Sequence, residues 1–269
     1  MSKTAERALD LLEHLVQTER PVALMELSAS CGLDKSTTAR LLKFLLERSM
    51  LSRDPITKRY DIGPGLTALA AAVVGRSRLH EVCAPHLTRL RDKTGETATL
   101  HIRVGYERIC VAGAESHQPI RRVAPLGERI PLWLGTSGKV MLAFMSPAEI
   151  DRVLEESGEV LTIQRLKAEL VKIRTMCYLV NTVGDRAADV GAVSAPLFDS
   201  QGVVAALTVA GPNSRWSAEK IQAAVPLVTA SAAEISRALG KPTETATRER
   251  NRLGNLNTDW DLTQGVGLR

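Results

Sequence analysis

Five polar side chains within nine residues, Lys35, Ser36, Thr37, Arg40 and Lys43, are of the types that read a nucleic-acid duplex. The Arg40 fork matches guanine O6 and N7. The short hydroxyls of Ser36 and Thr37 reach phosphate or thymine near a helix start, and lysines neutralise phosphate. Downstream, Arg53, Lys58 and Arg59 suit phosphate or minor-groove contact, whereas Tyr60 reads as packed. Between residues 34 and 59, seven basic side chains stand against three acidic ones, a local net of +4 in a chain of net +5. Such clustering, more than overall charge, is what phosphate neutralisation requires. The competing reading is a solvated face on a structural helix and hairpin.

A second set of candidates lies in the Leu132-Trp-Leu-Gly-Thr-Ser-Gly-Lys139 stretch, rich in glycine and small hydroxyls and running into a helix. The N–H groups and positive dipole end of such a helix suit a carboxylate; the alternative is an ordinary loop-to-helix cap. Cys110 and His101 can be drawn as nucleophile and base across a hairpin, which would make the domain an enzyme. A buried cysteine and a half-buried histidine in alternating strands are the commoner arrangement. The four cysteines, Cys31, Cys83, Cys110 and Cys177, show no metal-ligand spacing, and neither a metal nor a cofactor is expected. With no signal peptide and no apolar run long enough to span a bilayer, the reading is a cytoplasmic protein without a membrane partner.

The elements that must position these residues follow from periodicity. Ala5, Leu9, Leu12 and Val16 recur at helical spacing. A short helical pattern from Leu24 then meets a second across the Cys31-Gly32 turn, with Asp34 as its N-cap. The second helix is expected to bury Ala39, Leu42, Leu45 and Leu46 and to turn Ser36, Arg40, Lys43 and Glu47 outward. Residues 51–62 read as two short strands around Asp54-Pro55, completing a winged helix-turn-helix over 1–62. Gly63-Pro64-Gly65 is a break, and residues 63–95 read as linker helices, the second running from about Leu79 to Thr94, starting or kinking near Pro85, with Gly95 as its C-cap. From Thr97 the period changes to two, and strands and helices mix until about residue 240. This is an α+β domain with a largely antiparallel sheet over 96–240. Residues 241–269 have few apolar side chains and read as a disordered tail.

Seven stretches in order resemble the isocitrate-lyase-regulator (IclR) family of bacterial transcription factors. They are Leu33-Asp-Lys-Ser-Thr-Thr-Ala-Arg-Leu-Leu42, Tyr60-Asp-Ile-Gly-Pro-Gly-Leu66, Thr94-Gly-Glu-Thr97, Arg129-Ile-Pro-Leu132, Gly138-Lys-Val-Met-Leu-Ala143, Ala195-Pro-Leu-Phe-Asp199 and Val204-Ala-Ala-Leu-Thr-Val-Ala-Gly-Pro212. The resemblance implies a dimerising winged helix-turn-helix, a linker helix and a GAF-like effector domain. It implies homodimers or dimers of dimers on a pseudo-palindromic double-stranded operator, answering to a small-molecule effector such as an organic acid or aromatic compound. Its pocket positions map to Leu132, Leu134, Thr136, Ser137, Ala192, Thr208 and Ala210, with Trp133 standing where many members have histidine. Asn181-Thr-Val-Gly184 replaces an acidic cluster, leaving acid only at Asp185, and Ala192 replaces a frequent cysteine. The indole in place of acids and a thiol points to a more apolar or aromatic ligand. A constitutive DNA-binding protein with a purely oligomerising C-terminal domain is the alternative.

Overall fold

The computed structural model describes residues 3–18, 20–157, 160–183 and 189–240. The tail read over 241–269, and the departures at Gly184 and Asp185, lie outside the described residues. The chain forms two compact units, Met1–Ser77 and Arg78–Arg269.

In the first unit, α1 (Lys3–Gln17), α2 (Leu24–Ser30) and α3 (Lys35–Glu47) precede an antiparallel wing of β1 (Leu51–Arg53) and β2 (Tyr60–Ile62), followed by α4 (Pro64–Arg76). Leu11, Leu15, Leu27, Leu41, Leu42, Leu45, Leu51 and Tyr60 share one core. Gly32 takes the left-handed conformation (φ 61°) that turns the chain between α2 and α3. The Asp34 carboxylate then accepts from the Thr37 amide at 2.9 Å and from the Ser36 and Thr37 hydroxyls, each at 2.6 Å. These bonds to the charged form hold the Asp34 carboxyl far below the usual carboxylate range.

The buried stripe of α3 is rotated from the expected one. Thr38, Leu41, Leu42 and Leu45 are buried, while Ala39 and Leu46 are half-buried. Thr38 enters the core because its hydroxyl donates to the Asp34 carbonyl and accepts from Ser28 Oγ, both at 3.0 Å. The Gly63-Pro64-Gly65 segment is a tight junction. A Cβ on Gly63 or Gly65 would lie 2.3 or 2.8 Å from the Ser49 carbonyl oxygen, so glycine there permits α4 to seat against the wing.

The second unit opens with α5 (Arg78–Thr94), which runs uninterrupted through Pro85. Its bounds agree with the reading from about Leu79 to Thr94, and it does not start at the proline: Cys83, Leu87 and Leu90 bury its face in the core, and tertiary packing outweighs one missing N–H. Then come β3 (Thr97–Val104), β4 (Glu107–Ala114), β5 (Arg129–Pro131), α6 (Gly135–Leu142), α7 (Pro147–Glu155), α8 (Val160–Met176), β6 (Leu179–Asn181), β7 (Val190–Phe198), β8 (Val203–Pro212) and α9 (Ala218–Ala238). The strands form one six-stranded antiparallel sheet in the order β5-β4-β3-β8-β7-β6.

Alternation assigns each strand two faces. Ala98, Leu100, Val193, Ala195, Leu197, Leu207 and Val209 pack in the core that also contains α5 and α9. The residues between them, Thr97, Thr99, His101, Ala192, Ser194, Thr208 and Ala210, face the side covered by α6. Leu132, Val140, Met141, Ile150, Leu154, Leu170 and Ile173 form a separate core among the α6–α8 helices. At Ser146 a reciprocal capping box opens α7.

Helix α6 folds closely against the segment that leads into it because Gly138 has no side chain: a Cβ there would lie 2.3 Å from the Leu132 carbonyl oxygen. Gly138→Ala should therefore destabilise the second unit by about 1–3 kcal/mol. Calorimetry should show this as a melting temperature lowered by about 2–4 °C per kcal/mol; an unchanged melting temperature would contradict the close approach.

Candidate functional site

The first unit presents a basic helix face. Lys35, Ser36, Arg40 and Lys43 are exposed on α3, and Thr37 is half-buried. Ser36 and Thr37 both donate to Asp34, so their oxygens are left as acceptors while the cap holds them in place. Among the described residues Arg40 forms no ion pair, and Lys43 Nζ lies 3.9 Å from Glu47 Oε1. On the wing, the Arg53 guanidinium stacks over Tyr60 at 5.2 Å and its Nε donates to the Lys58 carbonyl. Lys58 occupies the turn with φ 58°. Arg59 is turned back toward α2, donating to the Pro21 carbonyl and to Glu26 Oε1, both at 3.1 Å. Of the three wing cations, it is the one that forms an ion pair among the described residues.

The second unit holds a cavity of about 180 Å³ between the α6 side of the sheet and the N-terminus of α6. Its wall includes Thr97, Thr99 and His101 of β3, Arg108 of β4, Gly135, Thr136 and Ser137 of α6, and Ala192, Thr208 and Ala210 of β7 and β8. Arg122 and Ala124 from the β4–β5 connection close it, together with Asn181 and Val190. Thr136 Oγ1, Ser194 Oγ and Thr208 Oγ1 form a buried hydroxyl chain with both steps at 2.7 Å.

Arg108 is 6% exposed. Its Nη1 lies 3.3 Å from His101 Nδ1, and its Nε donates to the Leu134 carbonyl at 3.4 Å. A guanidinium can only donate, so His101 Nδ1 accepts and the ring proton on Nε2 points to Thr99 Oγ1, 3.0 Å away. Gly135 adopts φ 72°, and a Cβ on it would lie 2.9 Å from Arg108 Nη2. The α6 turn thus admits the guanidinium. None of the described lining residues is acidic.

A β-bulge brings Arg108 to this face. Above it Leu100 pairs with Ala112; below it His101 pairs with Cys110 and Arg103 with Arg108. The one-residue shift turns positions 108 and 110 away from the face of Ala112 and Ala114 and toward that of His101. Strict alternation along β4 would place Arg108 with the apolar core. Its role was therefore absent from the sequence pattern, as were those of Thr97, Thr99 and Arg122.

Of the expected pocket residues, Thr136, Ser137, Ala192, Thr208 and Ala210 line the cavity together. Three do not. Leu132 is fully buried in the helical core, and Leu134 is the N-cap of α6. Trp133 faces a separate depression with Val104, Tyr106, Arg129 and Glu156.

Residues 71–237 match the model of the bacterial transcriptional regulator IclR C-terminal domain, and residues 4–55 match that of the IclR helix-turn-helix domain. The chain belongs to the IclR family of bacterial transcriptional regulators. Along 242 residues it is 32% identical to the HTH-type transcriptional regulator BhcR of Paracoccus denitrificans, covering 87% of this chain and 86% of that one. An IclR transcriptional regulator from Alicyclobacillus acidocaldarius aligns with a TM-score of 0.81 at 25% identity, over 89% of this chain and 100% of that one. An IclR homolog from Microbacterium hydrocarbonoxydans, complexed with 4-hydroxybenzoate, shares the fold with a TM-score of 0.76 at 21% identity, over 88% and 99%. The helix-turn-helix of this IclR chain is accordingly its DNA-binding element, with α3 as the second helix.

The nucleophile chemistry drawn for Cys110 finds no support in the site. Cys110 Sγ donates to the Ala112 carbonyl at 3.7 Å, and burial pushes the thiol up to about 11. At pH 8 it is a protonated core residue. Iodoacetamide should modify half-buried Cys177 well before Cys110 in the folded protein, as read by peptide mass spectrometry. Equal rates would contradict this placement.

Proposed function

We propose that this regulator binds a pseudo-palindromic operator as a homodimer and that a small polar carboxylate in the cavity changes its DNA affinity. The observation that carries the effector reading is the cationic, hydroxyl-lined wall: Arg108 and Arg122 beside His101, Thr99, Thr136 and Thr208. An anion entering it exchanges water for charge-assisted hydrogen bonds and for the positive dipole end of α6. The size is right for a short acid or one bearing a single ring, since about 150 Å³ accommodates benzene.

This reading changes the ligand class expected from Trp133. The described wall carries no phenyl, phenol or indole ring, so polarity rather than ring stacking would select the ligand. The 4-hydroxybenzoate bound by the Microbacterium homolog is itself a carboxylate.

Dimerisation is supported by α4. It buries no residue within the chain, and Leu69, Val73 and Val74 are exposed along it. An apolar helix face of this kind is what a second copy would cover. Two α3 helices would then occupy successive major grooves, with Arg40 as the base-reading side chain and Lys58 as a phosphate contact. Ligand binding changes operator affinity only through its differential affinity for two states, typically about 1–3 kcal/mol.

Two outcomes test the proposal. In operator titrations over a salt series, Arg40→Ala should weaken specific binding by about 1–3 kcal/mol and relax preference at one base pair. Lys58→Ala should weaken binding to all sequences alike and reduce the salt slope by about one. In a thermal-shift screen, 4-hydroxybenzoate or pyruvate at a hundredfold excess over its Kd should stabilise the protein by about 2.7 kcal/mol. Arg108→Gln should remove that shift. Failure of every small carboxylate to stabilise the native protein would favour the constitutive alternative.

A further inference from the structure

The Thr94-Gly-Glu-Thr97 motif contributes one cavity residue, Thr97, yet its other groups make an elaborate set of bonds. Glu96 is 3% exposed. Its two carboxylate oxygens accept from Arg215 Nε at 2.6 Å and Nη2 at 2.9 Å. The third arm of the same guanidinium, Nη1, donates to the Ile120 carbonyl at 2.5 Å. Ile120 lies in the β4–β5 connection, two residues before Arg122 of the cavity wall.

The neighbours of Glu96 hold the same segment. Thr97 Oγ1 donates to the Arg122 carbonyl at 2.6 Å and accepts from the Ser116 amide at 3.1 Å. Ser116 Oγ donates to the carbonyl of Gly95 at 2.5 Å and accepts from the Gln118 amide at 3.2 Å. Residues 116–122 are thus tied at both ends to the four-residue motif, and Arg215 pins their middle. The seat for Glu96 also requires Gly211, where a Cβ would lie 2.3 Å from the carboxylate.

A buried ion pair is poor evidence of stabilisation, because desolvating both charges cancels much of their attraction. What the fork supplies is direction: two arms fixed on Glu96 aim the third at the Ile120 carbonyl. The exposed side chains of Ile120, Val123 and Leu126 give the connection little burial of its own. Its position therefore depends on these bonds.

We propose that Glu96 and Arg215 are positioning residues that latch the 116–124 segment in place as a wall of the cavity and so govern access to it. The biological meaning of the latch rests on the effector reading above, but its action can be measured without an effector. In the full-length protein, Ala192→Cys places a thiol on the cavity wall. Its rate of reaction with a negatively charged methanethiosulfonate reagent, followed by peptide mass spectrometry, reports opening. Hydrogen exchange of the Ser116 and Gln118 amides reports release of the segment.

Adding Glu96→Gln or Arg215→Gln should raise the labelling rate roughly tenfold and speed exchange at 116–122, with exchange in β3 and β8 unchanged. Arg215→Lys keeps a cation opposite Glu96 but loses the fork. It serves where the Gln variants do not fold, and its expected rise is roughly threefold. Unchanged labelling in folded variants overturns the latch, as does exchange that rises equally throughout the sheet, which marks general destabilisation. A carboxylate screen without a hit removes the effector reading and leaves the labelling result standing. Unchanged labelling removes the latch and leaves the effector reading standing.

Discussion

Each strand of the six-stranded sheet must satisfy two environments at once, because successive side chains leave a strand on opposite faces. On one face Leu100, Val193, Leu207 and Val209 meet the apolar surfaces of α5 and α9. The other face is then free to carry Thr99, His101, Ser194 and Thr208 in their place between the apolar positions. The apolar face supplies the burial that keeps the strands paired, so the polar face can be specialised without loss of the fold. Everything in the candidate site follows from that division, including the position of α6, whose first turn is held over the polar face.

Placing a guanidinium beneath a helix is costly unless its donors are met. Arg108 meets this demand with the Leu134 carbonyl, His101 Nδ1 and the space left by Gly135. The bulge that delivers it costs one unpaired position in the β3–β4 ladder. Without the bulge, the same residue would be directed at the core of Leu100 and Ala112. A local irregularity in hydrogen bonding thus decides whether Arg108 belongs to the cavity or to the core.

In the first unit the governing interaction is local. Asp34 organises the first turn of α3 through the Thr37 amide and two hydroxyls, and Thr38 carries that order inward to Ser28. The exposed face is left with Lys35, Arg40 and Lys43, in a family whose helix-turn-helix binds DNA. Arg59 shows the limit of counting charges along a sequence: its neighbour Lys58 faces outward from the turn, whereas Arg59 neutralises Glu26.

Helix spacing, the cap at Asp34, the period-two strands and the basic cluster were all legible in the chain, because each depends on residues near one another in sequence. The seven family stretches added the order of the domains. The rotation of the α3 stripe was not legible, since it turns on Thr38 finding Ser28 across the core. Nor was the exclusion of Trp133, or the inclusion of Arg108. Thr136 of the cavity wall bonds to Ser194 across 58 residues, and Arg215 reaches Glu96 across 119. Such contacts are set by sheet order, register and one bulge. Neighbouring residues determine which elements form, and only the assembled sheet decides which side chains share a space.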